Sequence, residues 1–428
     1  MWRSIRHPGR PVIWSMLLAA GCGGAGSGGG GVWQGTIDDS AGIEVVQNPE
    51  QGLWANDEAW RLTRILEIGS AEGDPDYQFG QVAGVVAGAD GRIYVLDQQA
   101  AEIRVFDHEG TYRQTIGRKG QGPGEISPQA VGLIRGRGDT LFVADMGNTR
   151  VDRFLEDGSD AGSFPLDFSK GIPVRWEGTA GGTMVTQLRH FALPGAASVA
   201  SDSMDAIVAY ASDGTVRDTL LLVPAGETFS AGGGAPEFHF FSPEPVWALA
   251  GDGGVWYGIN NEYRVFRYDD AGRLIRIVTK SFETKPVTAT DREVFEQALE
   301  KAWRDAGVGP QVLAALKAGV DFEDRFPAYF QLRGGPGGSL WVQHLIAPAE
   351  LSEAERETFN PQLGLGSSRW DVFDGTGRFL GGITMPERFQ PLQFEGNTVY
   401  GVWRDDLDVQ YVRAYRIEGA PTGDLSGT

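Results

Sequence analysis

Three of the five histidines in this chain could act together on one ligand. His190 lies at the end of the second strand of a predicted third repeat, His239 begins the first strand of the fourth, and His344 ends the second strand of the fifth. Imidazole nitrogens bind zinc and iron, and three of them leave coordination positions open for a substrate. The spacing matches no helical or CxxC-type motif, so the alternative is that these side chains only form ordinary hydrogen bonds. No cofactor is expected unless these histidines bind a divalent metal.

Two arginines and a tryptophan are the other candidates for ligand binding. Arg175 and Trp176 lie in the predicted inner strand of the third repeat, where they could line a central channel and bind an anionic or sugar-like ligand. Burial between sheets is the alternative for Trp176. Arg150 ends the segment DMGNTR (145–150), whose Asp and Asn side chains are also suited to satisfying turn amides. The sequence contains no GxSxG or HExxH motif, so no catalytic residue is predicted and a non-enzymatic function is favoured.

A repeat positions these side chains. An aromatic residue followed four positions later by glycine ends a strand-like run six times, at Phe106/Gly110, Phe154/Gly158, Tyr210/Gly214, Tyr268/Gly272, Phe373/Gly377 and Tyr415/Gly419. The aromatic ring packs between sheets, and the glycine supplies the positive φ of a tight turn. Each repeat predicts strands A to D of an antiparallel meander of about 40–50 residues, which is a propeller blade. The predicted fold is therefore an all-β, six-bladed propeller.

The two ends of the repeat array predict how the ring closes. The sixth repeat lacks an outer strand, and RLTRILEIG (61–69) is similar to the outer strand of the first repeat. We expect this N-terminal strand to complete the last blade, which removes unpaired sheet edges. Apolar residues at helical spacing predict a small helical insertion over 283–325, between blades 4 and 5. The long segments all fall on the face that carries the B–C and D–A connections, so we expect binding on this loop-rich face.

Two blades carry a family resemblance. GRIYVLD (91–97), GRKGQGPGEI (117–126) and TLFVADMGNTRVDRFLEDG (140–158) resemble NHL-type repeats, and more narrowly the bacterial six-bladed propeller lipoproteins with a GxGPGEF-like segment. Ile126 stands where that family usually has phenylalanine. The resemblance implies the propeller fold. For function it implies either a binding platform or a lyase or lactonase, and the three histidines are loosely similar to the metal ligands that amidating lyases place on three blades.

The N-terminus is typical of an exported lipoprotein. Residues 1–22 have a basic start, an apolar stretch and a lipobox-like end (LAAGC, 18–22), which predicts a signal peptide and lipidation at Cys22. An ordinary signal peptide with an incidental cysteine is the alternative. The Gly-rich range 23–60 predicts a flexible tether and lead-in, followed by the propeller over 61–419 and a C-terminal tail over 420–428.

The net charge and the predicted cellular location narrow the class of function. The formal charge of −20 opposes binding to nucleic acid, whose phosphates would be repelled. We therefore predict a monomeric binding or scaffold propeller in the bacterial cell envelope. It is anchored to a membrane by its N-terminal lipid and lies outside the cytoplasm, and its loop-rich face binds a protein or small-molecule ligand. The alternative is a metal-dependent lyase or lactonase acting at the same face.

Overall fold

The computed structural model of the chain describes residues 32–54, 59–88, 90–138, 140–179, 182–189, 204–211, 213–225, 229–230, 237–361 and 364–421. Before the first strand of blade 1, the chain forms β1 (Thr36–Ser40), β2 (Ile43–Asn48) and β3 (Arg61–Ile68).

Six four-stranded antiparallel blades surround a central axis, and the predicted fold is confirmed. Blade 1 comprises β4 (Val82–Ala87), β5 (Ile93–Asp97), β6 (Glu102–Phe106) and β7 (Tyr112–Ile116). Blade 2 comprises β8 (Ala130–Arg135), β9 (Thr140–Asp145), β10 (Arg150–Leu155) and β11 (Asp160–Pro165). Blade 3 comprises β12 (Ile172–Gly178), β13 (Met184–Arg189), β14 (Met204–Tyr210) and β15 (Val216–Pro224).

Blades 4 to 6 and the insertion between blades 4 and 5 follow in the chain. After β16 (Phe229–Ser230) and β17 (Glu237–Phe240), blade 4 comprises β18 (Pro245–Leu249), β19 (Val255–Ile259), β20 (Arg264–Tyr268) and β21 (Leu274–Lys280). The insertion then contains α1 (Ala289–Asp305), α2 (Pro310–Ala318) and β22 (Val320–Phe322). Blade 5 comprises β23 (Gln331–Gly334), β24 (Leu340–Leu345), β25 (Gly366–Phe373) and β26 (Phe379–Thr384), with α3 (Glu353–Thr358) between its second and third strands. Blade 6 comprises β27 (Phe389–Glu395), β28 (Thr398–Arg404), β29 (Gln410–Glu418) and, as its outer strand, β3.

The repeated turns have the geometry that their sequence indicates. All six turn glycines have positive φ, with values between 73° and 92°, at Gly110, Gly158, Gly214, Gly272, Gly377 and Gly419. An L-residue with a Cβ rarely adopts this conformation, so glycine sets the direction of the chain there. Of the preceding aromatic residues, Phe106, Phe154 and Phe373 are at most 1% exposed. The repeat thus combines one backbone requirement with one core side chain.

The ring closes in blade 6. β3 pairs antiparallel with β29, from Arg61 opposite Glu418 to Ile68 opposite Val412, and so supplies the outer strand. Leu66 and Ile68 bury their side chains in one hydrophobic cluster with residues of blades 1 and 6. Both termini of the propeller therefore lie in one sheet.

The lead-in contains a hairpin that the tether assignment of 23–60 did not include. β1 and β2 form an antiparallel hairpin, and β2 pairs in parallel with β21 on the outer edge of blade 4. Leu53 and Trp54 then donate backbone hydrogen bonds to Phe379 and Leu380 of β26, at 3.1 and 2.7 Å. We call residues 33–54 the N-terminal strap. It satisfies backbone groups on the exposed outer edges of two blades, a tertiary pairing that the short pattern IEVVQN does not indicate by itself.

The insertion between blades 4 and 5 has its own apolar core. Phe241, Phe295, Phe322 and Phe326 form the centre of a separate hydrophobic cluster. Thr288 caps α1, and its side chain and that of Asp291 form a reciprocal capping box. His239 lies here, in β17, which pairs in parallel with β22. The prediction that it begins the inner strand of blade 4 is wrong, because that strand begins at Pro245.

In the described part of the chain, no helix combines the length and apolar composition needed to cross a membrane.

Asn48 is the side chain that joins the strap to the ring, and its removal tests the strap. It is 6% exposed, accepts hydrogen bonds from Trp33 Nε1 (3.1 Å) and Phe379 N (2.6 Å), and donates to the carbonyls of Thr279 and Gly377. We expect Asn48→Ala to lower the free energy of unfolding by about 2–4 kcal/mol, because four buried polar groups lose their partner. Chemical denaturation measures this change. The exposed Asn261→Ala is the control, and equal values for both variants would contradict the assignment.

Candidate functional site

A cavity of about 800 Å³ opens at the rim between blades 4 and 5. Its walls come from three parts of the chain: the strap and its continuation, the end of β21 with the residues after it, and blade 5. The lining residues are Glu50, Gly52, Trp54, Ala59, Lys280, Ser281, Phe282, Glu283, His344, Arg369, Asp371, Phe379, Gly381 and Gly382. The cavity is thus formed only after the strap has packed on the ring.

The cavity lies on the side of the propeller that carries the long connections. Lys280 ends β21 and His344 lies at the end of β24, and both strands run toward the B–C and D–A connections. The helical insertion begins directly after Lys280. The buried lining residue Asp371 lies on β25, opposite Val342 of β24.

Asp371 organises the floor of the cavity. Its side chain is 4% exposed, and both carboxylate oxygens have partners. His344 Nε2 lies 2.9 Å from Oδ1, while Lys280 Nζ and the Tyr263 hydroxyl each lie 2.6 Å from Oδ2. Lys280 also lies over the ring of Phe379, 4.0 Å from its centroid. The cluster joins blade 4 to blade 5 and holds the imidazole of His344 in one orientation.

Electrostatics keep this cluster charged. Burial alone would raise the pKa of Asp371, but the hydrogen bonds and positive charges of His344 and Lys280 outweigh it, so the pKa lies below its usual value. Burial and the neighbouring carboxylate hold the pKa of Tyr263 well above its usual value. Asp371 is therefore an anion at neutral pH and Tyr263 a neutral donor. With all its near positions occupied, Asp371 serves to position other groups rather than to bind a ligand itself.

Close approach of the strap to blade 5 requires glycine. A Cβ on Gly52 would lie 2.5 Å from the carbonyl oxygen of Leu380, and one on Gly381 would lie 2.8 Å from the ring of Trp54. Trp54 therefore packs flat against the outer strand of blade 5 and forms an aromatic wall of the cavity. Its ring centroid lies 5.3 Å from that of Trp60, which extends the wall toward blade 6.

Two charged groups in the cavity have no partner among the described residues. Arg369 and Glu50 are both exposed and line the cavity. Neither side chain forms an ion pair or hydrogen bond with a described residue, in contrast to Lys280 and Asp371. Unpaired charges of both signs beside aromatic surface are the features of a site for a small polar ligand.

The predicted metal ligands are not brought together by the described residues. His344 lines the cavity, whereas His239 lies in the insertion, where its half-buried side chain has Nδ1 3.7 Å from Oδ2 of the exposed Asp321. His190 and the lipidation residue Cys22 lie outside the described residues. Among the residues that are described, no group of three His, Cys, Asp or Glu side chains could hold a metal ion. The metal site stays a prediction.

Arg150 binds the loop that joins blade 1 to blade 2. Its guanidinium donates to the carbonyls of Gln121 (2.9 Å), Gly122 (2.8 Å) and Glu125 (2.7 Å), and its Nε lies 2.6 Å from Asp152 Oδ1. These contacts occupy the guanidinium and hold the GRKGQGPGE segment (117–125) against blade 2. Burial raises the pKa of Asp152 to about 6, despite the neighbouring arginine. Ligand binding by Arg150 stays a prediction.

Arg175 and Trp176 lie side by side on β12 but face different blades. The guanidinium of Arg175 lies over the ring of Trp247 in blade 4, 5.0 Å from the centroid. The ring of Trp176 packs on Tyr210 at 5.9 Å, and a Cβ on Gly132 of blade 2 would contact it. Trp176 thus fills the space between blades 2 and 3. Arg175 remains the candidate for the channel.

Sequence reasoning did not single out Lys280, Arg369, Asp371 or Trp54. The available signal was the strand RWDVF (369–373), in which an acidic residue interrupts an otherwise apolar run. Such a residue in a strand that is buried on both faces needs a cationic or hydrogen-bonding partner. The partner, Lys280, is distant in sequence, and only the ring brings the two together.

Comparisons with known proteins show the fold. A family model described as a 6-bladed beta-propeller matches residues 75–158. A member of the DUF4221 family from Bacteroides vulgatus has a TM-score of 0.52 and 13% identity over 85% of this chain and 99% of that one. A protein inferred to be exported, from Bacteroides fragilis, has a TM-score of 0.50 and 13% identity over 87% and 99%. A catalytically inactive virginiamycin B lyase from Staphylococcus aureus, solved with quinupristin, has a TM-score of only 0.41 and 10% identity over 83% of this chain and 99% of that one. No curated protein matches the chain.

Asp371 should make stability dependent on acid pH. Its pKa in the folded state lies below the unfolded value, so its contribution is present above about pH 4 and is lost as pH falls through the folded pKa. Asp371→Asn should cost about 3–5 kcal/mol at neutral pH, because Lys280 stays buried without its counter-charge. Denaturation between pH 2 and pH 7 should show a smaller loss in acid for the variant than for the wild type. The exposed Asp270→Asn is the control, and parallel pH profiles for wild type and Asp371→Asn would refute this role.

Proposed function

We propose that the protein is a membrane-tethered binding propeller outside the cytoplasm, and that it binds a small polar ligand in the rim cavity between blades 4 and 5. The observation that carries the proposal is the cavity itself, with Arg369 and Glu50, which have no ion-pair partner in the described part of the chain. The resemblance of blades 1 and 2 to NHL-like lipoprotein propellers supports the same class of function.

The size and lining of the cavity suit a small molecule better than a flat protein surface. A volume of about 800 Å³ falls within the ~300–1,000 Å³ that small-molecule sites occupy. Arg369 offers a planar donor for a carboxylate or hydroxyl oxygen, and Glu50 offers an acceptor. The rings of Trp54 and Phe282 add apolar surface. A ligand with both charged or hydroxyl groups and an apolar face would satisfy all of these groups.

The strap relates this site to the predicted anchor. Only 10 residues separate Cys22 from Trp33, where the strap begins, and most of them are glycine. A Gly-rich random coil of this length has an end-to-end distance of about 17 Å. Lipidation at Cys22 would therefore hold the rim of blades 4 and 5, and the cavity, close to the membrane surface.

A screen for thermal stabilisation tests ligand binding at the cavity. The soluble chain without residues 1–22 is incubated with separate panels of sugars, sugar acids, amino acids and short peptides. A true ligand should raise Tm in a saturable way, and Arg369→Ala should weaken its affinity by about tenfold or more, the usual value of a charged hydrogen bond.

Arg273→Ala is the matched control, because Arg273 is 79% exposed in a turn on the opposite face and should leave binding unchanged. A ligand that binds the wild type and both variants with the same affinity would place the site elsewhere. A complete panel without any stabilisation would count against the cavity as a binding site.

The anchor is tested with Cys22→Ser. Acyl chains contribute about 0.8 kcal/mol per buried CH₂, so the wild-type protein should partition into detergent on phase separation. The variant should remain unprocessed or appear in the aqueous phase. Equal partitioning of both proteins would indicate a secreted protein without a lipid.

The metal-dependent alternative finds limited support in the described residues. His344 has a carboxylate behind it, as metal-binding imidazoles usually do. The described residues do not complete a metal site, however. Elemental analysis of the purified chain, with His344→Ala for comparison, tests this alternative directly.

A further inference from the structure

A second charged cluster lies on the central axis, away from the rim cavity. The inner strands of blades 3, 4 and 5 are β12, β18 and β23, and each contacts the next around the axis. Arg175 and Glu177 project from β12, and Arg333 from β23. All three side chains are mostly buried, with 23%, 14% and 20% of their surface exposed.

One carboxylate serves two guanidinium groups in this cluster. Glu177 Oε1 accepts a hydrogen bond from Arg175 Nη2 and lies 3.6 Å from Arg333 Nη1. Its other oxygen, Oε2, accepts a hydrogen bond from the backbone N–H of Leu249 at 2.8 Å. Glu177 therefore has both oxygens engaged, and the cluster retains one positive charge.

Arg333 is the group whose charge is left without full compensation. Burial, and then the positive charge of Arg175, lower the pKa of Arg333 to about 10, and Glu177 offsets this only in part. The Arg333 Nε atom is buried and has no hydrogen-bond partner among the residues that the structure describes. A buried donor without a partner is destabilising, and such a group in a native protein calls for an explanation such as a nearby ion or water molecule.

We propose that Arg175 and Arg333 form a binding site for a small oxyanion, a carboxylate or phosphate group, in the central channel. The anion would neutralise the excess charge and accept hydrogen bonds from the Nη groups of the two arginines. Guanidinium groups bind such anions through paired N–H donors. This site is independent of the proposed function, because none of its residues lines the rim cavity.

A charge-balanced arginine elsewhere in the ring shows what distinguishes this pair. Arg267 also lies over a tryptophan, Trp256, at 5.2 Å, and is even less exposed, at 5%. It has the carboxylate of Asp252 to itself and also donates to the carbonyl of Tyr268. Arg267 therefore needs no further anion and is the matched control.

Phosphate titration of the whole soluble chain tests the proposal. Inorganic phosphate is added from 0.1 to 10 mM at constant ionic strength, and binding is followed by the ³¹P line width and by Tm, with acetate as a separate arm. At ten times Kd a single site should raise Tm by on the order of 2 °C. Arg333→Gln and Arg175→Gln should abolish both signals, and Arg267→Gln should keep them.

Glu177→Gln is the more stringent test, because we expect it to increase phosphate affinity rather than to abolish it. It removes the competing carboxylate but keeps an acceptor for Leu249, so phosphate affinity should rise by about tenfold. A response to acetate alone would assign the site to carboxylates, and a response to both would assign it to oxyanions in general. If the wild type shows no ³¹P broadening and no saturable rise in Tm with either anion, the proposal is wrong. It is also wrong if every variant responds alike, since that is the general salting effect of phosphate.

Discussion

The pairing of β3 with β29 is the interaction on which the rest of the structure depends. Each blade of a ring buries its two faces against its neighbours, so without its fourth strand blade 6 would leave part of the core that it shares with blade 1 uncovered. Here eight residues from the start of the propeller supply that strand, and their side chains enter the cluster between blades 6 and 1. Cores between blades are therefore complete only when both ends of the chain have met.

Closure at blade 6 also explains the path of the strap. The chain must reach β3 from outside the ring, and it does so along the outer edges of blades 4 and 5. Because these edges carry unpaired backbone groups, the strap is held by main-chain hydrogen bonds and by Asn48 as well as by the buried side chain of Val46. A segment held in this way forms a wall without filling the space behind it, and the rim cavity lies in that space. The cavity is thus a consequence of how the ring is closed.

The sequence predicted the blades because each one is determined by local signals. An aromatic residue, a turn glycine and two β-rich runs recur within about 50 residues, and the same signals predicted which outer strand was missing. The site could not be predicted in this way. Lys280 meets Asp371 across 91 residues, and Asn48 reaches Phe379 across 331, so no short pattern records either pair. His344 was singled out for its chemistry, but its partner was not, and His239 was misplaced because the strand preceding blade 4 belongs to the insertion.

The polar cluster around Asp371 and the polar cluster around Glu177 differ in their balance of charge, and this difference distinguishes a structural role from a binding role. Asp371 has one ammonium, one imidazole and one hydroxyl around its two oxygens, and its ion pair with Lys280 is balanced and buried. Glu177 has two guanidinium groups around it and leaves a donor of Arg333 without a partner. A balanced cluster stabilises the contact between two blades and needs nothing further. An unbalanced one costs stability unless something else completes it, and in a chain with a net charge of −20 the remaining cationic surface on the axis attracts anions that the rest of the molecule repels. On this physical ground the axis and the rim would bind different ligands, an oxyanion in the channel and a larger polar molecule behind the strap.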